Sequence, residues 1–160
     1  LKTIIDDRNN FSKDFLISKV LIDNQSPYLK SIIINKGFNH GIKIGVAVKH
    51  KFYFVGKIVG VNYLTSRVLL ASDLNSKIPI IIEPGRINAI LSGKGNNEYA
   101  DLEYLPKDNY IKSGDLVFTS GTDATIPPAI PIGKIIEMDG SKFVKFFTNF
   151  NQLKYVKVNK

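Results

Sequence analysis

Short strand-like runs, each followed by turn residues, make up most of this chain of 160 residues. Segments rich in Ile, Val, Phe, Tyr and Thr recur about every ten residues, and Gly, Asn, Asp or Pro stands between them. This spacing is typical of an antiparallel β-sandwich or β-barrel rather than of a parallel sheet. The twelve predicted strands lie at residues 15–22, 29–35, 46–50, 53–61, 65–71, 77–82, 88–92, 99–105, 115–119, 132–138, 142–148 and 153–158.

The two halves of the chain repeat each other. Residues 42–48 read IKIGVAV and residues 111–117 read IKSGDLV, an offset of 69. Residues 55–58 (VGKI) and 132–135 (IGKI) are offset by 77, because the second copy has a longer loop at 119–131. Duplication of a six-stranded unit explains the repeat, and closing each unit into a barrel would remove its exposed edges.

We therefore predict an all-β fold of two small six-stranded antiparallel β-barrels in tandem. The first barrel is expected to span residues 14–84 and the second 85–160, with the turn Pro84-Gly85 as the junction. Strand exchange is an alternative, in which the first two strands of each copy complete the opposite barrel.

Residues 1–13 are predicted to be the end of an N-terminal coiled-coil helix. Leu1, Ile4, Phe11 and Phe15 fall at the three–four spacing of a coiled-coil seam, which Arg8 interrupts between Ile4 and Phe11. A disordered terminus is the alternative, because so short a helix is marginal in water. No apolar run approaches the roughly 20 residues that span a bilayer as a helix, so we expect any segment that anchors the parent protein to lie outside this chain.

Composition excludes some kinds of site and argues against others. There is no cysteine, which rules out disulfides, thiolate catalysis and Cys-based zinc sites. The net charge is +8, but arginine contributes only at Arg8, Arg67 and Arg86. Lysine is the weaker residue for bidentate phosphate contacts, so we do not expect nucleic-acid binding. A basic polyanion-binding module remains an alternative function.

Paired antiparallel barrels also form chymotrypsin-like serine hydrolases, which makes this class a second alternative. Such an enzyme needs an imidazole base, a carboxylate that orients it and a serine beside an oxyanion hole. His40 and His50 lie in the first half and Ser120 in the second, but residues 114–121 (GDLVFTSG) lack a glycine-rich oxyanion loop. We predict that the chain is not an enzyme.

The sequence also predicts no cofactor and no metal. Two histidines ten residues apart, without a nearby acidic ligand, do not specify a metal site. Asp101 and Glu103 share one face of a strand, where an ordinary half-solvated strand explains them. Gly93-Lys94-Gly95 is only a weak resemblance to a phosphate-binding loop, because no helix follows it.

Several apolar segments are candidates for binding a protein partner. The strand at 77–82 has apolar residues on both faces, and Pro79 favours an edge position for it. The loop at 119–131 is stiff and apolar. Packing between the barrels is the alternative for each segment. The candidate partner-binding residues are Ile78, Ile80, Ile82, Ile126, Ile130, Phe143 and Phe147.

An ordered series of motifs covers the chain from about residue 16 to residue 138. It consists of IIINKG (32–37), Gly41 and Gly45, VGKI (55–58), LLASDLNSKIP (69–79), ILSGKG (90–95), LEYLP (102–106), GDLVFTSG (114–121) and IPIG (130–133). In this order and spacing the series resembles the MreC family of rod-shape-determining proteins.

The resemblance implies a non-enzymatic scaffold of the cell-elongation machinery. Members of this family lie on the extracytoplasmic face of the inner membrane, held by a single upstream transmembrane helix and a coiled coil. The implied partners are further copies of the chain, the elongation-specific class B penicillin-binding transpeptidase, and the proteins MreD and MreB. Control of peptidoglycan synthesis by contact is the expected function.

The shared motif residues are predicted to shape the backbone rather than to bind a ligand. They are Gly37, Gly41, Gly45, Gly56, Asp73, Gly93, Pro106, Gly114, Asp115, Ser120, Gly121, Pro131 and Gly133. Two positions depart from the family pattern, because Leu74 replaces a usual proline and Ala129 replaces a common glycine. If position 129 requires a positive φ, alanine strains this loop.

Overall fold

The computed structural model describes residues 15–25, 30–106, 110–122 and 126–159, so the helix predicted at 1–13 lies outside the described residues. All twelve predicted strands are present. They are β1 (Phe15–Gln25), β2 (Lys30–Ile34), β3 (Ala47–His50), β4 (Tyr53–Val61), β5 (Ser66–Leu70), β6 (Lys77–Glu83), β7 (Ile87–Gly93), β8 (Tyr99–Glu103), β9 (Leu116–Thr119), β10 (Pro131–Met138), β11 (Ser141–Phe146) and β12 (Tyr155–Asn159). Two 3-10 turns, Phe38–His40 and Phe150–Gln152, complete the described elements.

The strands close into two antiparallel barrels, which confirms the predicted fold class. The order around the first barrel is β1-β12-β3-β4-β5-β2, and β2 closes the wall on β1. The order around the second is β10-β11-β8-β7-β6-β9, and β9 closes the wall on β10. Each of these strands therefore has a partner on both sides.

Two strands lie in the barrel opposite to the one predicted. Strand β6 pairs with β7 and β9 in the second barrel, and β12 pairs with β1 and β3 in the first. The division into residues 14–84 and 85–160 is wrong for these strands. Only residues 84–86 separate β6 from β7, a length typical of a hairpin loop, so these strands pair with each other. Pro84-Gly85 is thus a hairpin turn within the second barrel, not a junction between barrels.

The two barrels nevertheless share one topology. If β1 to β5 are matched with β7 to β11, and β12 takes the place of β6, the two strand orders become identical. The exchange therefore involves the last strand of each copy, rather than the first two strands. Equivalent glycines at the 69-residue offset support the match, because Gly45 has a φ of 94° and Gly114 a φ of 98°.

A second pair of equivalent glycines lets strands cross closely. Gly56 on β4 and Gly133 on β10 occupy the 77-residue offset of the VGKI and IGKI motifs. A Cβ atom at Gly56 would overlap the carbonyl oxygen of Leu69, and one at Gly133 would overlap that of Lys145. Both barrels therefore require glycine at the same point of the wall.

The chain passes from the first barrel to the second through residues 71–76, where Asp73 is fully buried. One carboxylate oxygen of Asp73 accepts a hydrogen bond from the Lys30 backbone N–H at 2.7 Å, and the other accepts from the Asn75 N–H at 2.7 Å. On the second-barrel side, the Gly95 N–H donates to the Ser72 carbonyl at 2.8 Å. Asp73 therefore has a fastening role: it holds the crossover against the start of β2, in addition to stabilising its own turn.

The return crossover, residues 147–154, packs aromatic rings between the barrels. Phe150 is buried, and its ring meets that of Phe146 edge-on at 4.9 Å. The Phe147 and Tyr53 rings lie 5.2 Å apart, so the start of the return crossover, directly after β11, is in contact with β4 of the first barrel. Apolar contacts and crossover hydrogen bonds thus hold the two barrels against each other.

We predict that Asp73→Ala lowers the free energy of unfolding by about 2 kcal/mol, because the buried carboxylate is lost as the charged acceptor of two part-buried backbone N–H groups. Asp73→Asn should lower it less, since the amide oxygen retains one acceptor. Asp115→Ala is the matched control, because the Asp115 carboxylate accepts one exposed hydrogen bond, from the Lys112 N–H at 2.8 Å. Urea unfolding measures all three. A loss no larger for Asp73→Ala than for Asp115→Ala would contradict the fastening role.

Candidate protein interface

Three of the predicted partner-binding residues are buried in the structure and do not lie on the surface. Ile78, Ile80 and Ile82 point into the second barrel and are fully buried. The prediction that β6 offers them to a partner is therefore wrong, because β6 is paired on both sides.

Proline is tolerated at position 79 because its missing N–H falls past the end of a neighbouring strand. The Pro79 carbonyl accepts from the Ser120 N–H at 3.1 Å, and β9 ends at Thr119. The N–H and C=O of one residue in an antiparallel strand point to the same neighbour. The N–H that Pro79 lacks would therefore point toward Ser120, one residue beyond the end of β9. No hydrogen bond between β6 and β9 is lost, so β6 remains paired on both sides.

The loop before β10 is also folded onto the barrel, which corrects the prediction for Ile126 and Ile130. Both side chains are buried. The Thr119 hydroxyl donates to the Pro127 carbonyl at 2.7 Å and accepts from the Ile130 N–H at 3.0 Å. The Ala129 N–H donates to the Thr119 carbonyl at 2.8 Å. This part of the loop is a lid on the core rather than a free docking element.

The remaining two candidates are partly accessible. Phe143 is half-buried beneath the Lys94 ammonium, which lies 4.4 Å from its ring centroid. Phe147 is exposed but packs on Tyr53 at the junction of the barrels. Neither residue forms an extended apolar surface with the five buried ones.

The predicted motif residues are spread over both barrels rather than gathered at one site. Gly41, Gly45, Gly114 and Gly121 have positive φ, and a Cβ at Gly37, Gly56, Gly93 or Gly133 would overlap neighbouring backbone. Asp73, Asp115 and Ser120 accept hydrogen bonds in turns, Pro106 is exposed after β8, and Pro131 begins β10.

A different apolar groove lies at one end of the first barrel. It has a volume of about 490 Å³ and lies between the 3-10 turn Phe38–His40, the segment before β3 and the end of β4. Phe38 is 71% exposed, Ile44 66% and Tyr63 64%. Its lining residues are Phe38, Ile42, Lys43, Ile44, Val61, Asn62 and Tyr63.

Backbone hydrogen bonds hold this groove open. The Phe38 N–H donates to the Asn62 carbonyl at 2.8 Å, and the Asn39 N–H donates to the Tyr63 carbonyl at 2.9 Å. Gly37 passes so close to Asn62 that a Cβ would overlap its carbonyl oxygen. The turn after β2 is therefore fastened to the connection between β4 and β5, and the exposed rings are carried by fixed backbone.

The groove was missed in the sequence because its residues lie in turns. Phe38 and Ile44 interrupt Gly- and Asn-rich segments, and Tyr63 lies between two strands. Turns usually contain polar residues, so large apolar residues in these turns were the feature of the sequence that could have indicated an exposed apolar groove.

The described residues hold no arrangement for serine catalysis or metal binding at the predicted positions. The Ser120 hydroxyl forms a hydrogen bond with that of Thr122 at 2.9 Å. His40 accepts from the Gly37 N–H at 3.1 Å through Nδ1. Within the described ranges, no group of three His, Cys, Asp or Glu side chains is placed to hold a metal ion.

The Asp101 and Glu103 carboxylates are engaged by lysines. Glu103 lies 2.9 Å from the Lys77 ammonium, and this hydrogen bond is the main reason that the pKa of Glu103 is lowered. Asp101 lies 3.7 Å from the Lys94 ammonium. These contacts are those of a solvated strand face.

No helix in the described part of the chain is long and apolar enough to cross a membrane.

Comparison with known proteins identifies relatives over most of the chain. A family model described as "Rod shape-determining protein MreC, barrel core" matches residues 20–160. The chain is 33% identical over 140 residues to the cell shape-determining protein MreC of Cereibacter sphaeroides, covering 87% of this chain and 46% of that protein. The chain thus spans about half the length of this relative.

Two solved structures have the same fold. The crystal structure of MreC from Pseudomonas aeruginosa has a TM-score of 0.82 and 29% identity, covering 91% of this chain and 99% of that chain. A chain in the complex between penicillin-binding protein PBP2 and MreC from Helicobacter pylori has a TM-score of 0.65, covering 91% of this chain and 98% of that chain. Its identity is 14%, so this likeness shows the fold alone.

Ala129 offers a test of the loop geometry, because its φ is 64°, in the left-handed region. We predict that Ala129→Gly stabilises the protein by about 0.5–1 kcal/mol, since relief of the left-handed strain exceeds the extra unfolded-state entropy of glycine. Ala129→Val should destabilise it, because a β-branched residue is disfavoured there. Urea midpoints measure both. A lower midpoint for the glycine variant would contradict the prediction.

Proposed function

The chain belongs to the MreC family of rod shape-determining proteins, and we propose that it is a non-enzymatic scaffold that binds the penicillin-binding transpeptidase of cell elongation. Through this contact it would organise peptidoglycan synthesis in space. The observation that carries the proposal is the exposed aromatic groove of the first barrel, on a family member whose described residues hold no catalytic arrangement at the predicted positions.

The groove suits a protein ligand for energetic reasons. Burying a large apolar side chain contributes roughly 1.5–3 kcal/mol, and aromatic residues are frequent among those that dominate protein interfaces. Phe38 and Tyr63 are both largely exposed in the free chain. The hydrogen bonds to Asn62 and Tyr63 keep the backbone in place, so little conformational freedom is lost when a partner binds.

The Helicobacter pylori complex supports the choice of partner. In that complex a relative is bound to a penicillin-binding protein. Because the identity is low, we transfer only the class of partner and not the binding surface. The position of the contact on this chain is inferred from the groove itself.

The absence of catalysis is part of the proposal. A serine hydrolase on this fold would need a histidine base hydrogen-bonded to its nucleophile. The hydroxyl of Ser120, in the second barrel, is paired with Thr122, and His40, in the first, is engaged by Gly37. Transfer of function from the fold of double-barrel proteases is therefore not supported by these side chains.

We extend the proposal to the assembly around the chain. It would lie on the extracytoplasmic face of the inner membrane, anchored by a single-pass segment, and act with MreD and MreB. It would also associate with copies of itself, for which the outer face of the second barrel is a candidate, since Ile81, Phe118 and Pro128 border an apolar cavity of about 370 Å³. Sedimentation velocity tests self-association, and a monomer at every concentration would contradict it.

The groove is tested with the double variant Phe38→Ser/Tyr63→Ser. We predict at least a tenfold loss of affinity for the purified elongation transpeptidase, since interface aromatics typically contribute about 2 kcal/mol or more when they dominate binding. The matched control is Phe52→Ser/Tyr110→Ser, which also removes one Phe and one Tyr, exposed by 77% and 82%, outside the groove. Isothermal titration calorimetry measures each affinity.

The control should bind like the unmodified chain, and both variants should keep its circular dichroism spectrum. Equal losses for the two double variants would overturn the assignment of the groove. A transpeptidase that does not bind the unmodified chain at all would overturn the proposed function.

A further inference from the structure

Charge is divided unequally between the two barrels. Residues 15–76 and 149–160, which supply the first barrel, contain eleven Lys or Arg and two Asp or Glu, a net charge of +9. Residues 77–148, which supply the second, contain eight basic and nine acidic residues, a net charge of −1. Residues 1–14 contain three of each sign and carry no net charge. The excess of +8 therefore belongs to the first barrel.

Part of this charge is concentrated on the outer wall formed by β1, β12 and β3. Lys157 on β12 lies directly opposite Lys49 on β3. On the other side, Ile17 and Lys19 of β1 lie opposite Lys157 and Tyr155. We call these five residues, Ile17, Lys19, Lys49, Tyr155 and Lys157, the basic face.

The positive charge of the basic face is not compensated by the described part of the chain. The described residues form two ion pairs, Lys77–Glu103 and Lys94–Asp101, and both lie in the second barrel. Directly opposed like charges destabilise a sheet. The pKa of Lys49 is lowered by burial and then by the charge of Lys157. The pKa of the adjacent His50 is lowered by burial and then by Lys51 and Lys157.

Exposed apolar groups lie among these lysines. Ile17 is 66% exposed and Tyr155 56%. The Lys49 ammonium lies 4.3 Å from the centroid of the Phe15 ring. At the tip of the adjacent β3–β4 hairpin, Phe52 is largely exposed next to Lys51. The surface therefore combines lysine charge with aliphatic and aromatic side chains, rather than charge alone.

This combination distinguishes between anionic partners. Nucleic acids and acidic proteins are usually recognised with arginine forks in fixed geometry, and the basic face has none. A lipid surface presents diffuse negative charge above an apolar layer. Lysine is suited to the negatively charged headgroup layer, and Tyr and Ile are suited to the boundary between the headgroups and the apolar layer.

We propose that the basic face docks on an anionic phospholipid bilayer, with its lysines at the headgroup phosphates and Ile17 and Tyr155 at the edge of the acyl layer. This contact would orient the first barrel toward the membrane and the second away from it. It is independent of the transpeptidase contact, which we assign to the groove at one end of the same barrel.

Flotation with lipid vesicles tests the proposal. The unmodified chain should bind vesicles made from equal parts of phosphatidylcholine and phosphatidylglycerol, and should not bind vesicles of phosphatidylcholine alone. Binding should weaken as salt is added, because screening shortens the range of the attraction. No binding to the anionic vesicles at low salt, or equal binding to both kinds, would overturn the proposal.

A matched pair of variants locates the contact. Lys49→Gln/Lys157→Gln removes the opposed pair of the basic face, and Lys134→Gln/Lys145→Gln removes an opposed lysine pair from the second barrel. Each lysine near an anionic surface contributes about fivefold, so the first variant should bind about 25-fold more weakly. The second should change binding less than twofold. Equal losses would overturn the assignment, since both variants carry the same net charge.

A third variant separates a membrane from a soluble polyanion. Ile17→Ser should weaken vesicle binding and leave any binding to inorganic polyphosphate unchanged, because only a bilayer receives the apolar side chain. If polyphosphate binds through the same lysines while vesicles do not bind, the surface is a polyanion site and the proposal is wrong. Urea midpoints no lower than that of the unmodified chain would show that the lysine variants remain folded.

Discussion

The exchange of β6 and β12 is the constraint on which the rest of the structure depends. Each barrel is closed by a strand that the other half of the chain supplies. Neither wall can therefore be completed while the other half is absent. The crossovers follow from this exchange, since the chain must leave the first barrel at 71–76 and return at 147–154. The buried carboxylate of Asp73 and the buried ring of Phe150 lie on these two crossovers and hold them in place.

This construction gives the protein rigid outer surfaces, on the walls of the barrels and at their ends. The barrel interiors are filled by apolar side chains, and the His40 imidazole and the Ser120 hydroxyl form hydrogen bonds within turns. The apolar groove and the basic face lie on the same barrel, so one unit can meet two partners of different chemistry. The exchange fixes how the second barrel is held relative to both.

Sequence predicted most of the fold, because strand periodicity and the internal repeat are local patterns. The twelve strands, the two barrels and the family resemblance are all confirmed. The barrel that contains β6 was predicted wrongly because Pro84-Gly85 was interpreted as a junction between barrels, although the loop at 84–86 has the length of a hairpin loop. The binding role predicted for Ile78, Ile80 and Ile82 was wrong because the sequence of an edge strand does not differ clearly from that of a strand paired on both sides. Phe38 and Tyr63 were missed because neither lies in a strand.

Native-state hydrogen exchange in rising urea tests whether the two barrels form one interlocked unit. The amides of β5 report on the first barrel and those of β7 on the second. We expect the most protected amides of both strands to exchange through one opening event, with the same free energy and the same dependence on urea. Protection that persists in β7 at urea concentrations where it is lost in β5, or the reverse, would show that one barrel stands without the other and that the two are not interlocked.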